Sequence, residues 1–116
     1  MLKKKVLIID DEQDYCMIMK SYFSRKGYEV FVASTLKDGL KQLDEQKPDI
    51  LFLDNNLPDG KGWLMLDDIS RSHRDLKIFL VSAFRQEFES IKPTDQITIW
   101  EKPISFSHLN AAFSQP

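Results

Sequence analysis

Asp10 and Asp11, Asp54, Ser82 and Lys102 are the residues of this chain whose types and spacing could do chemistry together. Each follows or closes a run rich in Val, Ile, Leu and Phe, so a fold that aligns those runs would deliver all of them to one edge. Hydrophobic patterning alone does not ask for such a gathering. Three carboxylates brought together repel and raise one another's pKa, a cost that a bound cation removes. Hard oxygen ligands point to Mg²⁺ or Ca²⁺, and one or two carboxylates completed by a substrate phosphate is the pattern of Mg²⁺ rather than of a closed calcium cage. A carboxylate beside Mg²⁺ can attack phosphorus and form an aspartyl phosphate. Asp54 is the expected nucleophile. Lys102 would set positive charge on one phosphoryl oxygen, and the Ser82 hydroxyl could donate a hydrogen bond to another. A zinc site is not expected, since one Cys and two scattered His lack the spacing.

The elements that must position these groups are legible as an alternation. Five apolar runs, Lys5–Ile9, Glu29–Ala33, Ile50–Leu53, Lys77–Val81 and Ile97–Trp100, are separated by helical patterns, which implies βαβ units and a parallel sheet covered on both faces. The first helix is predicted from Tyr15, Ile18, Met19, Tyr22 and Phe23, with Asp11 as its cap and Gly27 as its stop. Thr35 caps a second, with Leu36, Leu40 and Leu43 on one stripe and Pro48 at the exit. Trp63, Leu66 and Ile69 stripe a third that ends near His73. A fourth is confined to about Arg85–Ile91 because Pro93 disfavours helical geometry at Lys92. A fifth starts at a Ser105 cap and carries Phe106, Leu109 and Phe113. Right-handed crossovers then give an α/β, flavodoxin-like, doubly wound sheet of five parallel strands in the order 2-1-3-4-5, with its ligand crevice outside the carboxyl ends of the strands.

Composition narrows the class. The length of 116 residues and a hydrophobic fraction of 42% suit one domain with one sizeable core. A balance of 16 Lys and Arg against 18 Asp and Glu, net charge −2, argues against direct nucleic-acid binding. Cys16 has no partner for an internal disulfide, and the apolar run after Lys5 is too short for a signal-peptide core or a membrane span. A soluble, cytoplasmic protein is expected. No repeat or low-complexity tract divides it, and Pro116 stands where a linker to another domain could begin.

At Val6-Leu7-Ile8-Ile9-Asp10-Asp11-Glu12, Leu53-Asp54-Asn55-Asn56-Leu57-Pro58-Asp59-Gly60-Lys61-Gly62, Val81-Ser82-Ala83 and Lys102-Pro103, the chain resembles the receiver domains of two-component response regulators. The resemblance spans nearly the whole chain. It implies that the residue at Asp54 takes a phosphoryl group from a sensor histidine kinase or histidine phosphotransfer protein. It further implies that Asp11 binds Mg²⁺ directly, Asp10 through water, and Asn56 through its backbone carbonyl, and that the Lys102–Pro103 bond is cis. Such a domain catalyses only its own phosphorylation and dephosphorylation and passes the signal to an output domain or partner that the sequence does not name. The chain departs from the family at Ile99, where an aromatic residue usually stands three positions before the lysine. Trp100 is adjacent, but strand alternation sends it to the opposite face. The segment from Ser82 to Lys102 is also shorter than usual.

Plainer readings stand beside these. Asp10-Asp11 could be a cap and its solvated neighbour, Asp54 a turn residue among Asn55, Asn56, Pro58 and Gly60, Ser82 a cap of the fourth helix, and Lys102 an ordinary surface lysine. Their joint placement at strand ends favours the site. Gly60 and Gly62 read as turn formers without a phosphate-cradling loop. Cys16, Met17 and Met19 read as packing or a partner-facing patch, Trp63 and Trp100 as core aromatics, His73 and His108 as surface residues, and Lys3-Lys4-Lys5 as a solvated strand start. Two other functions compete with the phosphoryl switch. One is a non-switching, receiver-like interaction module, motivated by Ile99 and Pro93. The other is a phosphatase working through an aspartyl phosphate, disfavoured because the Asp-x-Asp motif and cap insertion of haloacid dehalogenases are missing.

Overall fold

Buried strands in a parallel sheet read as unbroken apolar runs because helices cover both faces, and the computed structural model, which describes residues 3–113, bears this out. Strands β1 (Lys5–Ile9), β2 (Glu29–Ala33), β3 (Ile50–Asp54), β4 (Lys77–Ser82) and β5 (Ile97–Glu101) form one sheet. All pairings are parallel, in the spatial order β2-β1-β3-β4-β5. The register pairs Ile9 with Leu53, Asp54 with Val81 and Ser82 with Glu101, so the polar residues that follow or end β1, β3, β4 and β5 emerge at one edge. The expected order is met.

Helices α1 (Gln13–Arg25), α2 (Leu36–Gln46), α3 (Leu66–Ser72) and α4 (Phe106–Phe113) complete the layers. On one face Met19 and Phe23 of α1 and Leu109 of α4 pack with Ile8, Phe52 and Phe79; on the other, Leu43 of α2 and Leu66 and Ile69 of α3 pack with Leu7, Leu51 and Ile78. The cis Lys102–Pro103 bond is present, and Ile99 and Trp100 lie on opposite faces, as expected. Pro116 lies outside the described residues. Among the described residues no helix is long and apolar enough to cross a membrane.

Local chemistry explains two of the four helix starts. The Asp38 N–H donates to Thr35 Oγ1 (3.1 Å) at the start of α2, and the His108 N–H donates to Ser105 Oγ (3.1 Å) at the start of α4. The α1 expectation needs correction. Its N-cap is Glu12, whose side chain makes no cap bond, while Asp10 Oδ1 accepts from the Glu12 N–H (2.9 Å) and Asp11 stays exposed. Ile18 is exposed too, and Cys16 takes its place in the core. Trp63 belongs to a 3₁₀ turn, Gly62–Met65, that leads into α3. Between β3 and that turn, Asn56–Leu57 and Gly60–Lys61 pair as a small antiparallel ribbon.

The fourth helix is not formed. In its place stands one 3₁₀ turn, Arg85–Phe88. Phe88 at the end of that turn and Ile91 beyond it pack against the core.

Candidate functional site

The carboxyl edge of the sheet is where an open α/β fold leaves a crevice, because adjacent crossovers leave opposite faces between β1 and β3. Asp10 follows β1 and is 2% exposed; Asp54 ends β3 and is 5% exposed. With exposed Asp11 they offer three carboxylate oxygens that lie within 4.8 Å of one another. Ser82 ends β4 and is fully buried, and Lys102 follows β5 with its ammonium turned inward. The predicted acidic triad is thus assembled, with the lysine on its rim.

Lys102 is already paired. Its Nζ lies 2.8 Å from Asp10 Oδ2 and 2.6 Å from Glu12 Oε1, and 4.6 Å from the centre of the Tyr15 ring. Burial works against the ammonium, but its bonds to Asp10 and Glu12 outweigh that and hold its pKa above the ordinary lysine value. For Asp10 the balance goes the other way: burial raises its pKa although Lys102 and the Glu12 N–H lower it. Burial also dominates at Asp54, where the negative Asp10 adds to it, and the carboxyl is pushed up to about 7. Lys102 and the backbone N–H groups of Asn56 and Asn55 only partly offset this. Two buried carboxyls held above their normal range by burial favour added positive charge beside them. The donor set, all carboxylate oxygen, fits a hard divalent cation of the Mg²⁺ kind.

Sequence reasoning missed two members of the site. Glu87, in the Arg85–Phe88 turn, accepts hydrogen bonds from the Ser82 hydroxyl, from Asn56 Nδ2 (3.1 Å) and from Asn55 Nδ2 (2.8 Å). Lys61 Nζ stands 3.6 Å from the same carboxylate and also donates to Asn56 Oδ1. Despite the cost of burial, these partners hold Glu87 below the usual carboxylate range. The sequence carries no signal for this contact, because it depends on a turn that replaces the expected helix. Glu12 was visible only as part of the first motif, with no sign that it would share Lys102.

Other residues take plainer roles. Asn55 Oδ1 accepts from the Trp63 N–H (3.1 Å), and the Trp63 indole donates to the Leu53 carbonyl (3.1 Å), tying the Asp54 loop to the start of α3. Cys16 donates its thiol to the Asp10 carbonyl (3.3 Å), and burial pushes its pKa up to about 12, so it is a packing group rather than a nucleophile. His108 is exposed and His73 half-buried.

Comparison with known proteins agrees with this fold. The family model described as the response regulator receiver domain matches residues 6–114. The KDP operon transcriptional regulatory protein KdpE of Escherichia coli is 34% identical over 90 residues, covering 78% of this chain and 40% of KdpE. The chain therefore spans about two fifths of that relative's length. Sporulation initiation phosphotransferase F of Bacillus subtilis is 22% identical over 97% of this chain and 92% of its own. Among solved structures, a two-component response regulator from Clostridium difficile superposes with a TM-score of 0.85 at 24% identity, covering 95% of this chain and 92% of that one.

Proposed function

The chain belongs to the response regulator receiver domain family, and from that premise we propose that it is a phosphorelay switch whose Asp54 accepts a phosphoryl group from a phosphohistidine donor. The observation that carries this reading is the convergence of Asp10, Asp11 and Asp54 oxygens within 4.8 Å, with Lys102 against Asp10. Mg²⁺ would be held by Asp10, Asp11 and Asp54, with the backbone carbonyl of Asn56 completing the protein ligands. When bound, it supplies positive charge to the phosphoryl oxygens and neutralises the carboxylates around them.

The chain's own groups do the rest. An Asp54 carboxylate oxygen forms the bond to phosphorus as the bond to the donor imidazole breaks, and the imidazole nitrogen keeps that electron pair. Burial of Asp54 limits competing water, and the N–H groups of Asn55 and Asn56 favour its charged form. Lys102, with its ammonium within reach of the crevice, takes an equatorial oxygen. The Ser82 hydroxyl takes another. The donor is a sensor histidine kinase or histidine phosphotransfer protein, the setting is the cytoplasm, and the output is a further domain or partner. Its relatives favour this reading over a non-switching module.

Incubation with acetyl phosphate and Mg²⁺ adds one phosphoryl mass to the intact protein, and Asp54→Asn or EDTA removes that gain. Labelling that persists in Asp54→Asn, or none from acetyl phosphate, phosphoramidate or a histidine kinase, overturns the proposal.

A further inference from the structure

The hydroxyl that the phosphoryl reading needs is already committed. Ser82 has one hydrogen to donate, and it goes to Glu87 Oε1, while its oxygen accepts from the Phe84 N–H (3.0 Å). Ser82 is fully buried, so water offers it no alternative partner from bulk solvent. A phosphoryl oxygen and Glu87 cannot both receive that hydrogen.

We propose that Glu87 is a latch: its carboxylate holds the Ser82 hydroxyl while Asp54 carries no phosphoryl group and surrenders it when one arrives, releasing the Arg85–Phe88 turn. This inference rests on the phosphoryl-accepting role of Asp54 and adds a positioning residue that acts through Ser82. The exchange makes and breaks only hydrogen bonds.

Three features of the structure suit Glu87 to that role. Its two oxygens collect donors from both neighbours of the reacting group, Ser82 on β4 and Asn55 and Asn56 after Asp54, so the carboxylate spans the mouth of the site. The element that carries it is one 3₁₀ turn, whose residues Arg85 and Gln86 are exposed and whose inward anchors are Glu87 itself and the Phe88 ring. Short 3₁₀ segments with few buried contacts open at low cost. Phe88 in turn stacks on Trp63, with ring centres 5.7 Å apart and planes at 21°. Movement of Glu87 is thereby coupled to Trp63, whose N–H is bound by Asn55. This route, Ser82 to Glu87 to Phe88 to Trp63, needs no aromatic ring at Ile99.

Beryllofluoride with Mg²⁺, a phosphoryl mimic, tests the latch by titration of the intact chain, followed by tryptophan fluorescence and by calorimetry. Glu87→Gln places an amide nitrogen among donors and weakens the hold, so its affinity rises about tenfold, the scale of one hydrogen bond to a charged acceptor. Glu87→Ala, which removes the acceptor, changes affinity in the same direction and guards against a packing artefact of the amide. In the Ser82→Ala background the Glu87→Gln gain falls below about twofold, because the residue through which it acts is gone. Unchanged or weaker affinity in both Glu87 variants overturns the latch, as does a gain that survives intact in Ser82→Ala, which would mean that Glu87 acts by charge alone. If neither wild type nor Glu87→Gln binds the mimic, the phosphoryl role of Asp54 fails and the latch fails with it. Binding by both with equal affinity removes the latch alone.

Discussion

Asp54 sits in an environment that makes a carboxylate costly to keep charged. Its surroundings explain this: desolvation of the β3 end and the buried Asp10 beside it push it up to about 7 from 3.8. In metal-free protein the folded chain therefore binds this proton more tightly than the unfolded chain does. Between about pH 4 and pH 7 the native state holds the extra proton, so stability falls as pH rises through that window and the contribution is gone above it. Asp54→Asn carries no such penalty. In EDTA at pH 8 it should be more stable than wild type by roughly 1–3 kcal/mol in denaturant titrations, with the difference closing toward pH 4. Asp10, Asp11, Asp54, Ser82 and Lys102 were all legible in the sequence because each stands at or just past the end of an apolar run, and strand ends in a parallel sheet share an edge. Glu87 and Glu12 were not. Their roles follow from turn geometry and from which partner a flexible side chain reaches, neither of which periodicity encodes.

Among the elements, the loop from β3 to α3 does the most to hold the site. Gly62 donates its N–H to the Asn55 carbonyl (2.9 Å), and a Cβ there would run into the Asp54 carbonyl oxygen. Gly62→Ala must push the start of the Gly62–Met65 turn off β3, at about 1–3 kcal/mol, measurable as a lower unfolding midpoint together with slower acetyl phosphate labelling. In the same loop Asp59 accepts from the Leu36 and Lys37 N–H groups (2.7 and 2.9 Å), so its carboxylate caps α2 from a distance in sequence. Those N–H groups hold its pKa below the ordinary value. Here the sign is opposite to that at Asp54: the cap stabilises the fold above the unfolded pKa and is lost as pH falls through the depressed folded one. Asp59→Asn should lower Tm at pH 7, with the gap to wild type vanishing under strongly acid conditions. The strands were readable almost residue by residue, since buried parallel strands are continuous apolar runs bounded by charge. The Arg85–Ile91 segment was not, because its 3₁₀ turn, Arg85–Phe88, is anchored by the Glu87 carboxylate and the Phe88 ring, and one polar and one apolar anchor set no helical period.

For the whole molecule, a cation bound at the acidic edge would make folding and binding one equilibrium. A cation that binds the assembled carboxylates and hardly binds the unfolded chain stabilises the fold by mass action, about 2.7 kcal/mol at a hundredfold excess over Kd. Mg²⁺ should thus raise Tm, and Asp11→Asn should blunt the rise while leaving the fold intact, since Asp11 is exposed and packs against nothing in the core. A melting curve indifferent to millimolar Mg²⁺ would contradict the cation role. The central claim is that one particular carboxylate forms the acyl phosphate. Borohydride reduction of the acetyl phosphate-treated protein, followed by peptide mass spectrometry, reads that bond directly. Homoserine at position 54 is the result predicted; homoserine at position 10 or 11 instead, or at no position, would contradict it.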